Sequence, residues 1–216
     1  MILPISPRCI QPPYKPMFNK LFGGKKPVDA PESMLPEERM RAIEGSSSAE
    51  LAATMLTAPS ALMQLTLDEA RVVVSYMQPR KIPEGTTFIR EGDTKETDFM
   101  LLVLDGEVTI ESIVVSRTEP ITVTVLGPGN LIGEMGLLDG ERRSASCTTI
   151  SDVRCAILTR SALQQLLDDD PSTAAKLMMA VSLRIAERMR ESADKLKLYA
   201  QLTQAMQQEI NRLMPL

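Results

Sequence analysis

The spacing of apolar positions changes twice along the chain. It is helical up to about residue 77, alternating from Arg80 to about Thr159, and helical again to the end. In the first region, Ala49 to Leu56 is a predicted short helix that follows Ser46-Ser47-Ser48 and stops before Pro59. Thr66-Leu67-Asp68-Glu69 has the form of a capping box, in which the Thr66 hydroxyl accepts from the Glu69 amide and the Glu69 carboxylate reaches back. The helix it starts is expected to run to about Met77 and to end before Pro79.

The middle region reads as short strands. Thr86 to Arg90 is one, ending at Glu91-Gly92-Asp93. Phe99, Leu101 and Val103 alternate with Met100, Leu102 and Leu104, and both sets are apolar, so that strand is predicted to be covered on both faces. Asp105-Gly106 is a hairpin signal before Val108 to Glu111. Ile121, Val123 and Val125 alternate with Thr122 and Thr124, as on a half-buried strand. Gly127-Pro128-Gly129-Asn130 is a further turn, and Ser144 to Thr149 and Val153 to Leu158 complete the set. Short, evenly spaced strands with glycine-rich turns predict a β jelly roll, and with its flanking helices the chain belongs to the α+β class.

After Thr159, Ser161 to Leu167 reads as one short helix. Pro171 suits a first helical turn, and no glycine or proline follows until Pro215. Such a helix reaches ~63 Å at ~1.5 Å per residue. Its apolar positions, Met178, Ile185, Met189, Leu196, Tyr199, Met206, Ile210 and Leu213, follow a three-four spacing interrupted by Ser182, Ser192 and Thr203. A roll of this size cannot cover so long a stripe. Residues 172–213 are therefore expected to pair with a second copy as a parallel coiled coil, the competing reading being a helix that breaks near Ser192 and folds back.

Composition narrows the function. Of 216 residues, none is histidine or tryptophan, and aromatics are 3%. That excludes a Ser-His-Asp triad, a histidine-ligated metal and an aromatic platform for single-stranded nucleic acid, and no metal is expected. A net charge of −4 gives no basic field to hold DNA. No apolar run approaches the ~18 residues of a membrane helix. Cys9, Cys147 and Cys155 are too few and too far apart for a disulfide framework, which fits a reducing compartment such as the cytoplasm, and the last two read as small buried hydrophobes. Eight of the fifteen prolines lie within the first 36 residues, so residues 1–46 read as an extended or disordered arm. The arm is followed by the roll over 47–168 and the long helix over 169–216. Within the arm, Met17 to Phe22 before Gly23-Gly24-Lys25-Lys26 is too short to favour a membrane anchor over a solvated tail.

The stretch from Leu126 to Ser146 carries the chemistry. A strand runs into Gly133-Glu134, a short helical turn follows, and Arg143-Ser144-Ala145 begins the next strand. These groups suit a phosphate ester of a sugar. Free backbone N–H groups at a helix start favour an anion. Gly133 and Gly136 permit close backbone approach. The Arg143 fork matches two phosphate oxygens, Ser144 adds a neutral donor, and Glu134 can accept from a ribose hydroxyl. Arg142 reads as a solvated charge.

Gly-Glu-Met-Gly-Leu-Leu with Arg-Ser-Ala placed nine residues after Glu134 resembles the phosphate-binding cassette of the cyclic nucleotide-binding domain. Ile89-Arg-Glu-Gly-Asp93, Leu104-Asp-Gly-Glu-Val108 and Ser151-Asp-Val153 resemble that family's turns, and the likeness spans about residues 60 to 195. The resemblance implies a cyclic nucleotide held by Gly133, Glu134, Met135, Gly136, Arg143, Ser144 and Ala145. Glu134 would take the 2′-hydroxyl and Arg143 the cyclic phosphate. Counting forward as in bacterial regulators puts the base near Arg188 and Met189, where the family's usual Thr and Ser are absent. Serine after the arginine favours cyclic AMP over cyclic GMP. The chain reaches Leu216 still in helix, with no recognition helix, so direct DNA binding is not expected; with no nucleophile–base pair or metal-ligand set in the sequence, neither is enzyme activity. The implied role is a dimeric sensor that signals to an unidentified protein partner by moving its long helix. The alternatives are a scaffold that keeps the fold without a ligand, and a transcription regulator that acts through another chain.

Overall fold

A computed structural model describes residues 34–57, 65–112 and 121–213. Three helices lead into the roll: α1 (Pro36–Ile43), α2 (Ser47–Thr57) and α3 (Leu67–Ser75). The strands are β1 (Gln78–Ile82), β2 (Thr87–Ile89), β3 (Phe99–Asp105), β4 (Val108–Ser112), β5 (Ile121–Leu126), β6 (Leu131–Ile132), β7 (Ser146–Thr149) and β8 (Val153–Thr159). A short helix, α4 (Glu134–Asp139), lies between β6 and β7, and α5 (Arg160–Asp169) and α6 (Pro171–Leu213) follow β8.

Two four-stranded sheets form the roll, ordered β1-β8-β3-β6 and β2-β7-β4-β5, with antiparallel pairing. The doubly apolar strand β3 explains the layering. Phe99, Leu101 and Val103 point into the interior with Val108, Cys147 and Cys155. Met100, Leu102 and Leu104 point the other way, into a second core with Leu56, Val73, Leu166 and Leu177 from the helices. A strand between two cores has no solvent face, so its polar alternation is lost. Both thiols are buried, and burial pushes each up to about 12.

The capping box forms as its spacing predicts. Glu69 N donates to Thr66 Oγ1 at 3.3 Å, and Thr66 N to Glu69 Oε2 at 2.9 Å. Lys176 of α6 also bonds Glu69, and this contact holds the carboxyl below its ordinary range. Asp170 caps α6 by accepting from Thr173 N at 3.0 Å.

Three features differ from the sequence reading. Pro36–Ile43 is helical, although the proline-rich arm is expected to extend to residue 46; Pro36 itself opens that helix, where its missing N–H costs nothing. β1 has no counterpart among the expected strands, since Pro79 argues against one; it lies at a sheet edge, where proline is tolerated. Val125 is exposed rather than half-buried. The break near Ser192 does not occur: α6 is one helix of 43 residues, and every residue from 189 to 213 is exposed.

α1 brings one unusual group inward. Arg39 is 2% exposed, lies 4.7 Å over the Tyr76 ring and gives one bond, Nη2 to Gln165 Oε1 at 2.8 Å. Its Nε and Nη1 have no hydrogen-bond partner among the described residues.

Candidate functional site

The β6–α4 turn is built on Gly133, whose φ of 84° is left-handed and therefore suits a residue without Cβ. Through this turn the chain leaves the short strand β6 and begins the six-residue α4 with Glu134. Gly140, at φ 72°, ends α4 in the same way. The loop then returns to Arg143, whose backbone is fixed by Arg143 N to Asp93 O at 2.9 Å and Gly92 N to Arg143 O at 2.8 Å. The Glu91-Gly92-Asp93 turn and the cassette are thus one hydrogen-bonded unit.

Arg143 is buried, 4% exposed, and its guanidinium serves the backbone. Nε donates to Glu96 O at 3.0 Å, Nη1 to Gly133 O at 2.8 Å and Nη2 to Phe99 O at 3.0 Å, with the Phe99 ring 4.6 Å away. Burial draws its pKa below the usual guanidinium value, while Cys147, Asp98, Asp93 and Glu134 act the other way. The two glycines gain a concrete role here. A Cβ on Gly133 would lie 2.7 Å from Arg143 Nη1, and one on Gly136 would lie 2.9 Å from it. The close approach that they permit is that of the chain's own arginine.

Glu134 is 3% exposed, and its Oε1 accepts from Arg188 Nη1 of α6 at 2.5 Å. Arg188 Nη2 donates to Leu131 O at 2.8 Å. One turn earlier on α6, Arg184 Nη2 donates to Asn130 Oδ1 at 3.0 Å. At the other end of α4, Arg160 donates from Nε to Leu137 O at 3.0 Å and from Nη2 to Gly136 O at 2.8 Å. A cation on the last-turn carbonyls of a helix complements its dipole. The cassette helix is therefore held at both ends by arginines of the C-terminal helices.

The structure brings together Gly133, Glu134, Gly136, Arg143 and Arg188. Met135 and Ser144 are exposed and Ala145 half-buried on the same loop, while Met189 is 69% exposed on α6. Arg142 is exposed, as expected of a solvated charge. Arg160 and Arg184 are absent from the sequence reading. Nothing marks an arginine at a helix start or on a helix flank as a clamp until the two segments are seen together. No group of three or more metal-ligating side chains occurs among the described residues, and no helix there is long and apolar enough to cross a membrane.

Comparison with known proteins places these observations. Residues 79–170 match the model of the family described as "Cyclic nucleotide-binding domain". The CRP-like cAMP-activated global transcriptional regulator of Mycobacterium tuberculosis is 29% identical over 136 residues, 63% of this chain and 56% of the relative. The cyclic AMP receptor protein of Thermus thermophilus is 33% identical over 123 residues, 57% of this chain and 56% of the relative. The chain thus spans about half the length of these curated relatives. Among solved structures, a cyclic nucleotide-binding domain from Methylobacillus flagellatus superposes with a TM-score of 0.62 at 31% identity, covering 70% of this chain and 83% of the other.

Proposed function

The chain belongs to the cyclic nucleotide-binding domain family, related to CRP-like regulators, and we propose that it binds a cyclic nucleotide through the β6–α4 cassette. The phosphate meets the Arg143 side of the loop, with Ser144 and Ala145 as further donors. The ribose meets Gly133, Glu134, Met135 and Gly136. The base lies toward α6 near Arg188 and Met189. Serine at position 144 supports cyclic AMP within this class.

One observation carries the reading: a buried carboxylate at position 134. Gly133 sets the turn and Arg143 ties it to β3, so both have work in the fold itself. The turn does not require an acid at 134, and burying a carboxylate is costly unless it has donors to receive. Arg188 supplies one donor to Oε1, and a ribose hydroxyl suits the carboxylate's remaining acceptor sites.

The protein acts as a non-catalytic regulatory module of the cytoplasm. The exposed stripe of α6 pairs with a second copy, and ligand shifts the balance between two placements of that helix, which a protein partner reads. A second reading has support of its own. Arg143 and Glu134 already have partners within the chain, as expected of a scaffold that keeps the fold and engages partners through α6 without a ligand.

Thermal unfolding separates the two. A ligand at a hundred times its Kd stabilises by about 2.7 kcal/mol. Millimolar cyclic AMP or cyclic GMP is expected to raise the unfolding midpoint by several degrees, and no rise with either supports the scaffold.

A further inference from the structure

A cavity of about 550 Å³ opens between α1, α3 and the corner where α5 meets α6. Its volume falls within the ~300–1,000 Å³ of ligand-sized clefts. None of the described residues that line it belongs to the cassette. Met40, Val72 and Tyr76 give it apolar walls, while Glu37, Asp169 and Asp170 are set against one base, Arg41. The Tyr76 hydroxyl donates to Asp169 Oδ2 at 2.7 Å, and Thr173 N donates to Asp170 Oδ1 at 3.0 Å. Each carboxylate keeps further acceptor sites. Such a cleft suits an occupant with an apolar body and positive charge.

The chain carries a segment of that chemistry close by. Residues 17–26 lie outside the described residues, and their sequence, Met-Phe-Asn-Lys-Leu-Phe-Gly-Gly-Lys-Lys, combines four large apolar side chains with three lysines and no acid. Lys26 comes ten positions before Pro36, which itself lines the cavity. Ten residues reach at most ~36 Å, and a short tether holds a segment at an effective concentration on the order of millimolar. We propose that the cavity seats residues 17–26 of the same chain, with Phe22 against Met40 and Val72, and Lys25 and Lys26 beside Glu37, Asp169 and Asp170. The three acids disfavour an anionic membrane as the occupant and favour the basic segment nearest in the chain. Seated there, the segment ties α1 to the first turn of the long helix, which Asp170 caps.

The chain has no tryptophan, so Phe22→Trp in the full chain introduces a single reporter. Its fluorescence is expected to be shielded from acrylamide, equally at low and high protein concentration. Val72→Glu puts a charge into the apolar wall, and Lys25→Glu with Lys26→Glu reverses the charge of the segment while changing no residue of the cavity. Each is expected to raise the quenching several-fold. Should Val72→Glu unfold, the lysine pair carries the test alone. Carbodiimide joins a lysine to a touching carboxylate as an amide, with loss of water. It is expected to link Lys25 or Lys26 to Glu37, Asp169 or Asp170, and only within one chain when isotope-labelled and unlabelled proteins are mixed. The seat is overturned if the tryptophan is as open to acrylamide as free N-acetyltryptophanamide, or if the lysine pair leaves its quenching unchanged. Shielding that appears only with anionic vesicles, or crosslinks that join labelled to unlabelled chains, would give the segment to a membrane or to a second copy and overturn it equally.

Discussion

Arg143 Nη1 donates to the carbonyl of Gly133 at 2.8 Å, in the space that a Cβ on that glycine would fill. The arginine and the turn are thus made for each other, and the cassette holds its shape through its own charged group.

That fit can be measured by contrast. Gly129 and Gly133 share a φ of 84°, but no atom of the described residues lies within 4 Å of a Cβ on Gly129. Gly129→Ala should cost only the left-handed backbone penalty, about 1–2 kcal/mol. Gly133→Ala should cost about 1–2 kcal/mol more, because Arg143 and the Phe99 carbonyl must shift. Urea unfolding of the two variants gives the comparison, and equal losses would contradict it.

Arg143 itself should be structural as well as ligand-facing. Arg143→Ala removes three hydrogen bonds to backbone carbonyls and is expected to destabilise by about 2–4 kcal/mol in urea unfolding without nucleotide. Arg143→Lys has one charged nitrogen in place of a fork and should recover only part of this. A loss under about 1 kcal/mol for alanine would show that those bonds contribute little.

Arg39 is the opposite case. Its charge is buried against Tyr76 and Gln165 with two nitrogens that have no partner among the described residues, a poor exchange for hydration. Arg39→Met, similar in volume and apolar, is expected to raise stability by about 1 kcal/mol, since replacing buried charge by well-packed apolar groups is often stabilising. A fall in the thermal midpoint would show that the guanidinium gains more from the ring and the amide than it loses from water.

The architecture was legible wherever one local rule governed. The Thr66–Glu69 capping box, the doubly apolar β3 and the glycine turns at 106 and 129 all follow from short-range pattern. Competing signals hid the rest. Pro79 masked β1 because an edge position cannot be seen in sequence, and the density of prolines before Pro36 masked a helix that Pro36 starts. At the candidate site, the residues of the 133–145 loop were readable because a turn of fixed length holds them together. The Arg184, Arg188 and Arg160 clamp spans 54, 54 to 57 and 23 to 24 positions to its partners, and it exists only once α5 and α6 have packed against the roll.

The exposed stripe of α6 predicts self-association. Light scattering on the full chain should give twice its 23.8 kDa. Leu196→Glu with Ile210→Glu, both on the exposed face, should reduce that to one chain without loss of helical signal. A wild-type protein that is monomeric at high micromolar concentration would contradict the coiled coil.

The central claim is tested most directly by calorimetric titration of the nucleotide-stripped full chain with cyclic AMP, cyclic GMP and linear 5′-AMP. Saturable heat with one site per chain is predicted for a cyclic nucleotide, weakened at least tenfold by Glu134→Gln, with none for the linear phosphate. The absence of saturable heat with both cyclic nucleotides at millimolar concentration would contradict it.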